Sequence, residues 1–274
     1  MASREIYIHG KRVYFNEYGD GQEVMLLLHG WGGSANNFSK WVPVLSRKYR
    51  LIIPDLPGCG KSESLSSAHT VEAYAKFLED FVNQLGIKEL VIGGLFVGAI
   101  LALEFTKRNE DRVRGLLLHN PPYAPNTVSR VCRLQTRIGA YRIVRFAVRK
   151  SWKKAPYLAS IYKKIMNDGF SMSKADQKMN LHNLKQADYD ACIEFLQDCL
   201  KKDYTDLIQQ LSVPINVLIA INDRLIRYYD MARILELTKN VSIALLPGGH
   251  AWSDEFVEIQ NRALEDIFVL NSPN

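Results

Sequence analysis

The chain has 274 residues, 47% apolar and 23% charged, with a net charge of +6. That is the balance of a soluble globular protein with room for a substantial core. The longest apolar run, residues 90–103, is shorter than the roughly 20 residues that span a bilayer, which excludes a membrane helix. The opening Met1-Ala2-Ser3-Arg4-Glu5 is charged at once, and the expectation is a protein without a secretory leader.

In chain order, strands alternate with amphipathic helices, the pattern of a parallel α/β sheet. Ile6–His9 and Arg12–Tyr18 alternate and read as a hairpin turning at Gly10-Lys11. Val24–Leu28 is a wholly apolar strand that runs into His29-Gly30-Trp31-Gly32-Gly33. Asn37–Arg47 reads as a helix with a proline inside it or near a boundary, which leaves its ends open, followed by the strand Tyr49–Pro54 and the loop Asp55-Leu56-Pro57-Gly58-Cys59-Gly60-Lys61-Ser62. Val71–Leu85 predicts a helix with Ala73, Phe77, Leu78, Phe81 and Leu85 on one stripe. Glu89–Leu95 is the next strand, Val97–Lys107 the helix after it, and Val113–Leu118 the sixth strand. Beyond Pro121-Pro122 only helical periodicity remains, until the strand Pro214–Ile221. A helix at Tyr228–Thr238, the strand Val241–Leu246 and a helix over Asp254–Val269 complete the chain. The long helical stretch, with no Ser/Gly-rich linker, predicts a cap over residues 123–205 inserted into a core of residues 1–122 and 206–274.

Gly94-Leu95-Phe96-Val97-Gly98 sits between the fifth strand and its helix. The pattern Gly-x-Ser-x-Gly in that place makes a sharp turn that lifts a serine hydroxyl over the sheet. Here both glycines are present and Phe96 holds the serine position. No Ser or Cys occurs between residues 68 and 128, so no shift of frame supplies the nucleophile. A bulky residue tolerates the strained backbone of such a turn poorly, and some relaxation of it is expected.

Taken together, these motifs resemble the α/β-hydrolase superfamily over nearly the whole chain. They are His29-Gly30-Trp31-Gly32-Gly33, Pro54-Asp55-Leu56-Pro57-Gly58-x-Gly60-x-Ser62, the elbow glycines, Asn222-Asp223-Arg224 and Gly248-Gly249-His250, each at the carboxyl end of a strand. The resemblance implies a mostly parallel eight-stranded sheet flanked by helices, with a helical cap after strand six. By position it implies Asp223 as the orienting acid and His250 as the base. It also implies the backbone N–H groups of Trp31 and Val97 as oxyanion donors, and no metal or cofactor. Phe96 has no lone pair and no ionisable proton, so the acyl-enzyme of the family cannot form there.

Three readings of function follow. In the first, the chain is an enzyme acting on a small apolar carbonyl or ester compound through the His250–Asp223 dyad and the oxyanion site. In the second, it is a non-catalytic binder or sensor of such a ligand, with Phe96 as a hydrophobic floor. In the third, it is an inactivated variant of an ordinary serine esterase. A dyad facing an open cavity favours the first, and a Phe96 ring over the imidazole favours the second. His29, Gly30, Leu95, His119 and Tyr123 are expected at the substrate pocket, although His119 and Tyr123 read more simply as structural hydrogen-bonded residues.

The remaining features carry weaker signals. Gly58-Cys59-Gly60-Lys61-Ser62 resembles the end of a phosphate loop, but the glycine required six residues before its lysine is Asp55. Cys59 as a substitute nucleophile fares no better, because that loop lies beside the pocket. Cys59, Cys132, Cys192 and Cys199 have no paired spacing, and a reducing cytoplasmic setting is the economical reading. Residues 130–164 hold eleven Lys/Arg and no Asp or Glu. Arg130, Arg133 and Arg137 share one helical face and Val131, Leu134 and Ile138 another, with Arg142, Arg145, Arg149, Lys150, Lys153 and Lys154 extending the charge. Docking on an anionic membrane surface is one reading. The preferred reading is a solvated outer face over an apolar face packed on the core. Nucleic-acid binding is not expected, since no exposed aromatics interleave with the charge.

Overall fold

A computed structural model describes residues 1–151, 173–235 and 238–270. Eight strands form one sheet: β1 (Ala2–Ile8), β2 (Lys11–Tyr18), β3 (Glu23–Leu28), β4 (Tyr49–Pro54), β5 (Leu90–Leu95), β6 (Val113–His119), β7 (Ile215–Ala220) and β8 (Val241–Leu246). Their order is β1-β2-β4-β3-β5-β6-β7-β8. β2 pairs antiparallel with β1 and β4, and every later pairing is parallel. The first hairpin turns at His9-Gly10, one residue earlier than expected, because these two residues take the left-handed conformation (φ 49° and 74°) that a two-residue hairpin turn needs.

The apolar run of β3 follows from burial on both faces. Leu26 and Leu28 face a core with Val13, Phe15 and Ile92. Met25 and Leu27 face a second one with Trp41, Leu45, Leu117 and Leu264. On the first side lie α2 (Val71–Gln84) and α3 (Val97–Arg108); on the second, α1 (Val42–Leu45) and the C-terminal helix Val257–Leu270. The helix expected over residues 37–47 is broken into a 3₁₀ turn, Ala35–Phe38, and the short α1. Pro43 stands in the first turn of α1, where its missing N–H costs nothing, and could not sit deeper in a continuous helix.

Between β6 and β7 come α4 (Arg130–Gly139), α5 (Arg142–Ser151), α6 (Lys174–Gln186), α7 (Tyr189–Cys199) and α8 (Thr205–Gln210). Lys153 and Lys154, expected to extend the basic charge of this segment, lie outside the described residues. These helices cover the carboxyl ends of the central strands. Trp31 Nε1–H donates to Cys192 O at 2.9 Å, and Asp188 N–H to Gly58 O at 2.7 Å. Asn37 Nδ2 donates to Asn180 Oδ1 at 2.8 Å, and Lys40 reaches Asp176 at 2.6 Å.

The preferred reading of α4 is overturned. Its inward face is Cys132 and Thr136, with Gly139 beneath Tyr189 and Ile193 of α7. These small residues let the two helices approach closely, and Val131, Leu134 and Ile138 are left facing outward. All four cysteines are buried free thiols, and the Sγ atoms of Cys59 and Cys192 lie 3.6 Å apart, joining the loop after β4 to α7. No described helix is long and apolar enough to cross a membrane.

Candidate active site

The turn from β5 to α3 keeps its strained form. Phe96 has φ 51° and ψ −111°, outside the regions that non-glycine residues ordinarily occupy. The expected relaxation does not occur, because the surroundings fix the turn. A Cβ on Gly94 would lie 2.2 Å from the Gly98 carbonyl carbon, and a Cβ on Gly98 would lie 2.2 Å from Leu28 O. The backbones of β5, α3 and β3 are therefore in direct contact, and Phe96 N–H is held by His119 O at 2.9 Å. Packing of this kind sustains a conformation costing about 1–3 kcal/mol by itself.

Asp223 and His250 meet as the resemblance implied. His250 Nδ1 lies 2.7 Å from Asp223 Oδ2, and the Asp223 side chain is fully buried. Asn120 donates a second hydrogen bond to the same oxygen at 2.8 Å. The backbone N–H groups of Leu225 and Ile226 donate to Oδ1 at 2.7 and 3.2 Å. Three donors thus fix the carboxylate's position, and the carboxylate fixes the ring. Asn120 was not singled out in the sequence. Its one signal is its place beside His119 at the end of β6, and it has φ 45° and accepts Ala220 N–H at 2.8 Å.

Gly30, Trp31, Leu95, Phe96, His119 and His250 all line a cavity of about 480 Å³ between sheet and cap. A Cβ on Gly30 would stand 3.4 Å from Leu95 O and 3.8 Å from Phe96 Cβ, so the turn after β3 lies directly over the elbow. Val97 opens α3, and its backbone N–H falls in the first turn, where helical N–H groups have no intrahelical acceptor. The Phe96 ring is almost fully buried and meets the His250 imidazole edge-to-face, centroids 4.9 Å apart at 81°. The site therefore combines both features that the sequence set against each other: a paired His250 and Asp223 at the cavity wall, and a phenyl ring against the imidazole.

Two expected pocket residues do not reach the cavity. His29 is fully buried; its Nε2 accepts Leu56 N–H at 2.9 Å, so Nδ1 carries the proton and donates to Gly30 O at 2.8 Å. Burial lowers its pKa, against the opposing pull of Asp55, and it serves as a neutral staple between two loops. Tyr123 is also wholly buried and donates its hydroxyl proton to Met231 O at 3.0 Å. His119 does line the wall, edge-on to Trp41 and Trp252, and burial next to His250 pushes its pKa down to about 3.

The cavity wall mixes apolar and polar side chains. Trp41, Trp252, Leu184 and Ile193 contribute apolar wall, while Asn37 pairs with Asn180 and Lys40 with Asp176 on the same wall. Lys40 is the one Lys or Arg among the described lining residues, and it is already paired with Asp176 at 2.6 Å and Asp254 at 2.7 Å. Cys132 reaches the wall as well, but burial pushes its thiol up to about 11. Cys59 is excluded from the cavity lining, and its pKa is raised well above normal by its hydrogen bond with Cys192 and by burial. Nor does the Gly58–Ser62 loop cradle a phosphate. The N–H groups of Gly58, Cys59, Lys61 and Ser62 go to Glu63 O, Leu56 O, Asp55 Oδ2 and Cys59 O.

A capped parallel sheet with a histidine–acid dyad and a strand-to-helix elbow defines the class of protein. The chain belongs to the alpha/beta hydrolase fold family, whose profile matches residues 23–256. It is 36% identical over 112 residues to the 2-hydroxy-6-oxononadienedioate/2-hydroxy-6-oxononatrienedioate hydrolase of Klebsiella pneumoniae. The corresponding Escherichia coli K12 hydrolase is 37% identical over 112 residues, and in both cases the match spans 39% of each chain. Among solved structures, an esterase from Thermogutta terrifontis superposes with a TM-score of 0.81 at 21% identity, covering all of both chains. A bromoperoxidase from Bacillus anthracis gives 0.78 at 17% identity, covering 98% of this chain and 99% of that one.

Proposed function

We propose that this chain takes a small, largely apolar carbonyl or ester compound into its cavity and acts on it through His250 as a general base, with no covalent serine step. The observation that carries the reading is the buried Asp223 carboxylate, held by three donors and holding His250 at the cavity wall, while a phenyl ring stands at the nucleophile position. A base so oriented can take a proton from carbon next to a carbonyl, or from water. The oxyanion that develops would be met by the N–H groups of Trp31 and Val97. The described helices α4 to α7 serve as the cap that closes the site and sets the ligand.

The hydrolases similar to this chain are named for an oxo-dienedioate, a carbonyl compound with two carboxylates. The carbonyl suits this site, but the paired state of Lys40 leaves little to attract a dianion. A neutral carbonyl compound with a hydrogen-bonding end toward Asn37 and Asn180 is the better fit.

A second reading, a binder without turnover, is favoured by the edge-to-face contact of Phe96 with His250. The test is hydrogen–deuterium exchange and hydrolysis across a panel of small ketones and p-nitrophenyl esters, with the parent chain and His250→Ala side by side. Exchange or turnover that disappears in His250→Ala supports the base. Ligands that raise the melting temperature of both proteins equally, with no His250-dependent reaction, establish the binder instead.

A further inference from the structure

Half of the large apolar side chains that stand exposed among the described residues fall within residues 131–146. They are Val131 (60% exposed), Leu134 (59%), Ile138 (47%), Tyr141 (58%), Ile143 (84%) and Phe146 (72%). Such a concentration is unusual on the surface of a soluble domain and marks an interaction site. At 100° per residue, Val131, Leu134 and Ile138 form one stripe along α4. Arg130, Arg133 and Arg137 form the adjoining stripe and are exposed, as is Arg142 at the start of α5. No Asp or Glu lies between residues 130 and 151. Arg145 points the other way, into an ion pair with Asp190 and Glu194 of α7.

The charge decides between occupants. A second copy of this chain packed face to face would set arginines against arginines with no acid to answer them. A neutral apolar partner would leave the same guanidinium groups unpaired. An anionic bilayer satisfies both stripes, with apolar side chains at the acyl boundary and guanidinium groups among the phosphates. We propose that α4 and α5 form a membrane-docking face that seats the cap on an anionic lipid surface.

The position of the face adds a consequence. Gln135 and Ile138 are exposed on α4 and also line the cavity, and Val144 lines it from α5. The mouth of the cavity therefore borders the docking face, and a lipid-dissolved apolar ligand would reach it without crossing water. The docking itself stands whether or not the cavity turns its ligand over.

The experiment is flotation of the full chain with vesicles of phosphatidylcholine alone, or of phosphatidylcholine with phosphatidylserine, at low and high salt. Binding is expected at least ten-fold stronger on the anionic vesicles and should fall as salt rises. Ile143→Ser/Phe146→Ser, two changes on exposed side chains, should lower it at least ten-fold with an unchanged melting temperature. Arg130→Gln/Arg137→Gln should flatten the salt dependence. The proposal is overturned by absence of vesicle binding, by binding indifferent to both double variants, or by a concentration-dependent dimer that Ile143→Ser/Phe146→Ser dissolves while vesicles remain unbound.

Discussion

Replacing Phe96 with serine tests how much of the catalytic frame this chain retains. The ring is almost fully buried and lines a cavity, so its loss enlarges an existing space instead of opening a sealed one. Truncation of a core phenylalanine costs about 3–5 kcal/mol, and the lower end, about 3 kcal/mol, applies where the void is already present. For a domain of this size that lowers the melting temperature by roughly 5–6 °C. In the best-studied serine protease, loss of the nucleophile alone costs about 10⁶ in kcat. A misplacement of about 1 Å costs about 10², and allowing two such errors, at the serine and at His250, leaves an expected gain of about 10². The assay is p-nitrophenyl acetate turnover with mass analysis of the acylated protein. Phe96→Ser should show an acetyl adduct at position 96 and at least ~10²-fold faster release of p-nitrophenol than the parent chain. Phe96→Ser/His250→Ala should return to background. A folded Phe96→Ser protein with no gain, or with a gain untouched by His250→Ala, refutes the idea that elbow, dyad and oxyanion donors remain aligned.

Asn120→Ala removes a donor to Asp223 and leaves the buried Ala220 N–H without its acceptor. It should cost about 2 kcal/mol in urea denaturation, and in the Phe96→Ser background it should lower kcat more than KM. His119, pushed down to about 3 by burial, stays neutral in the folded chain, whereas the unfolded chain protonates it below about 6.5. Unfolding therefore takes up a proton between those values, and stability declines as pH falls through that window by about 1.4 kcal/mol per unit. His119→Gln should make the stability loss between pH 7 and pH 5 smaller by about 2 kcal/mol; an unchanged slope would contradict the burial argument. Tyr123→Phe deletes the bond to Met231 O, and should cost about 1 kcal/mol of stability while leaving ligand affinity unchanged, because the residue does not line the cavity. A ligand panel followed by thermal shift distinguishes that outcome from a pocket residue.

The alternation of strands and helices, the elbow, and Asp223 and His250, which the fold brings together, were all legible in the amino-acid sequence. These are local signals: apolar strands of fixed length, glycines where backbones touch, and motif residues at strand ends. It also fixed the absence of a nucleophile at position 96, since composition alone excludes Ser and Cys from the whole segment. Tertiary structure decided what local signals do not carry. Phe96 keeps φ 51° because Gly94 and Gly98, on the two arms of its own turn, close on each other and Gly98 closes on Leu28 of β3, about seventy residues earlier in the chain. His29 and Tyr123 turn away from the cavity because their polar atoms are consumed by Gly30, Leu56 and Met231. Asn120 joins the dyad across about a hundred residues of chain, which no pattern in either segment reveals. On α4 the hydrophobic stripe is legible, but its direction is set by the partner helix. Cys132, Thr136 and Gly139 admit α7 closely enough that the small face is buried and the large one is left outside. Periodicity records that a helix has two faces; only the packing of its neighbours chooses which of them meets solvent.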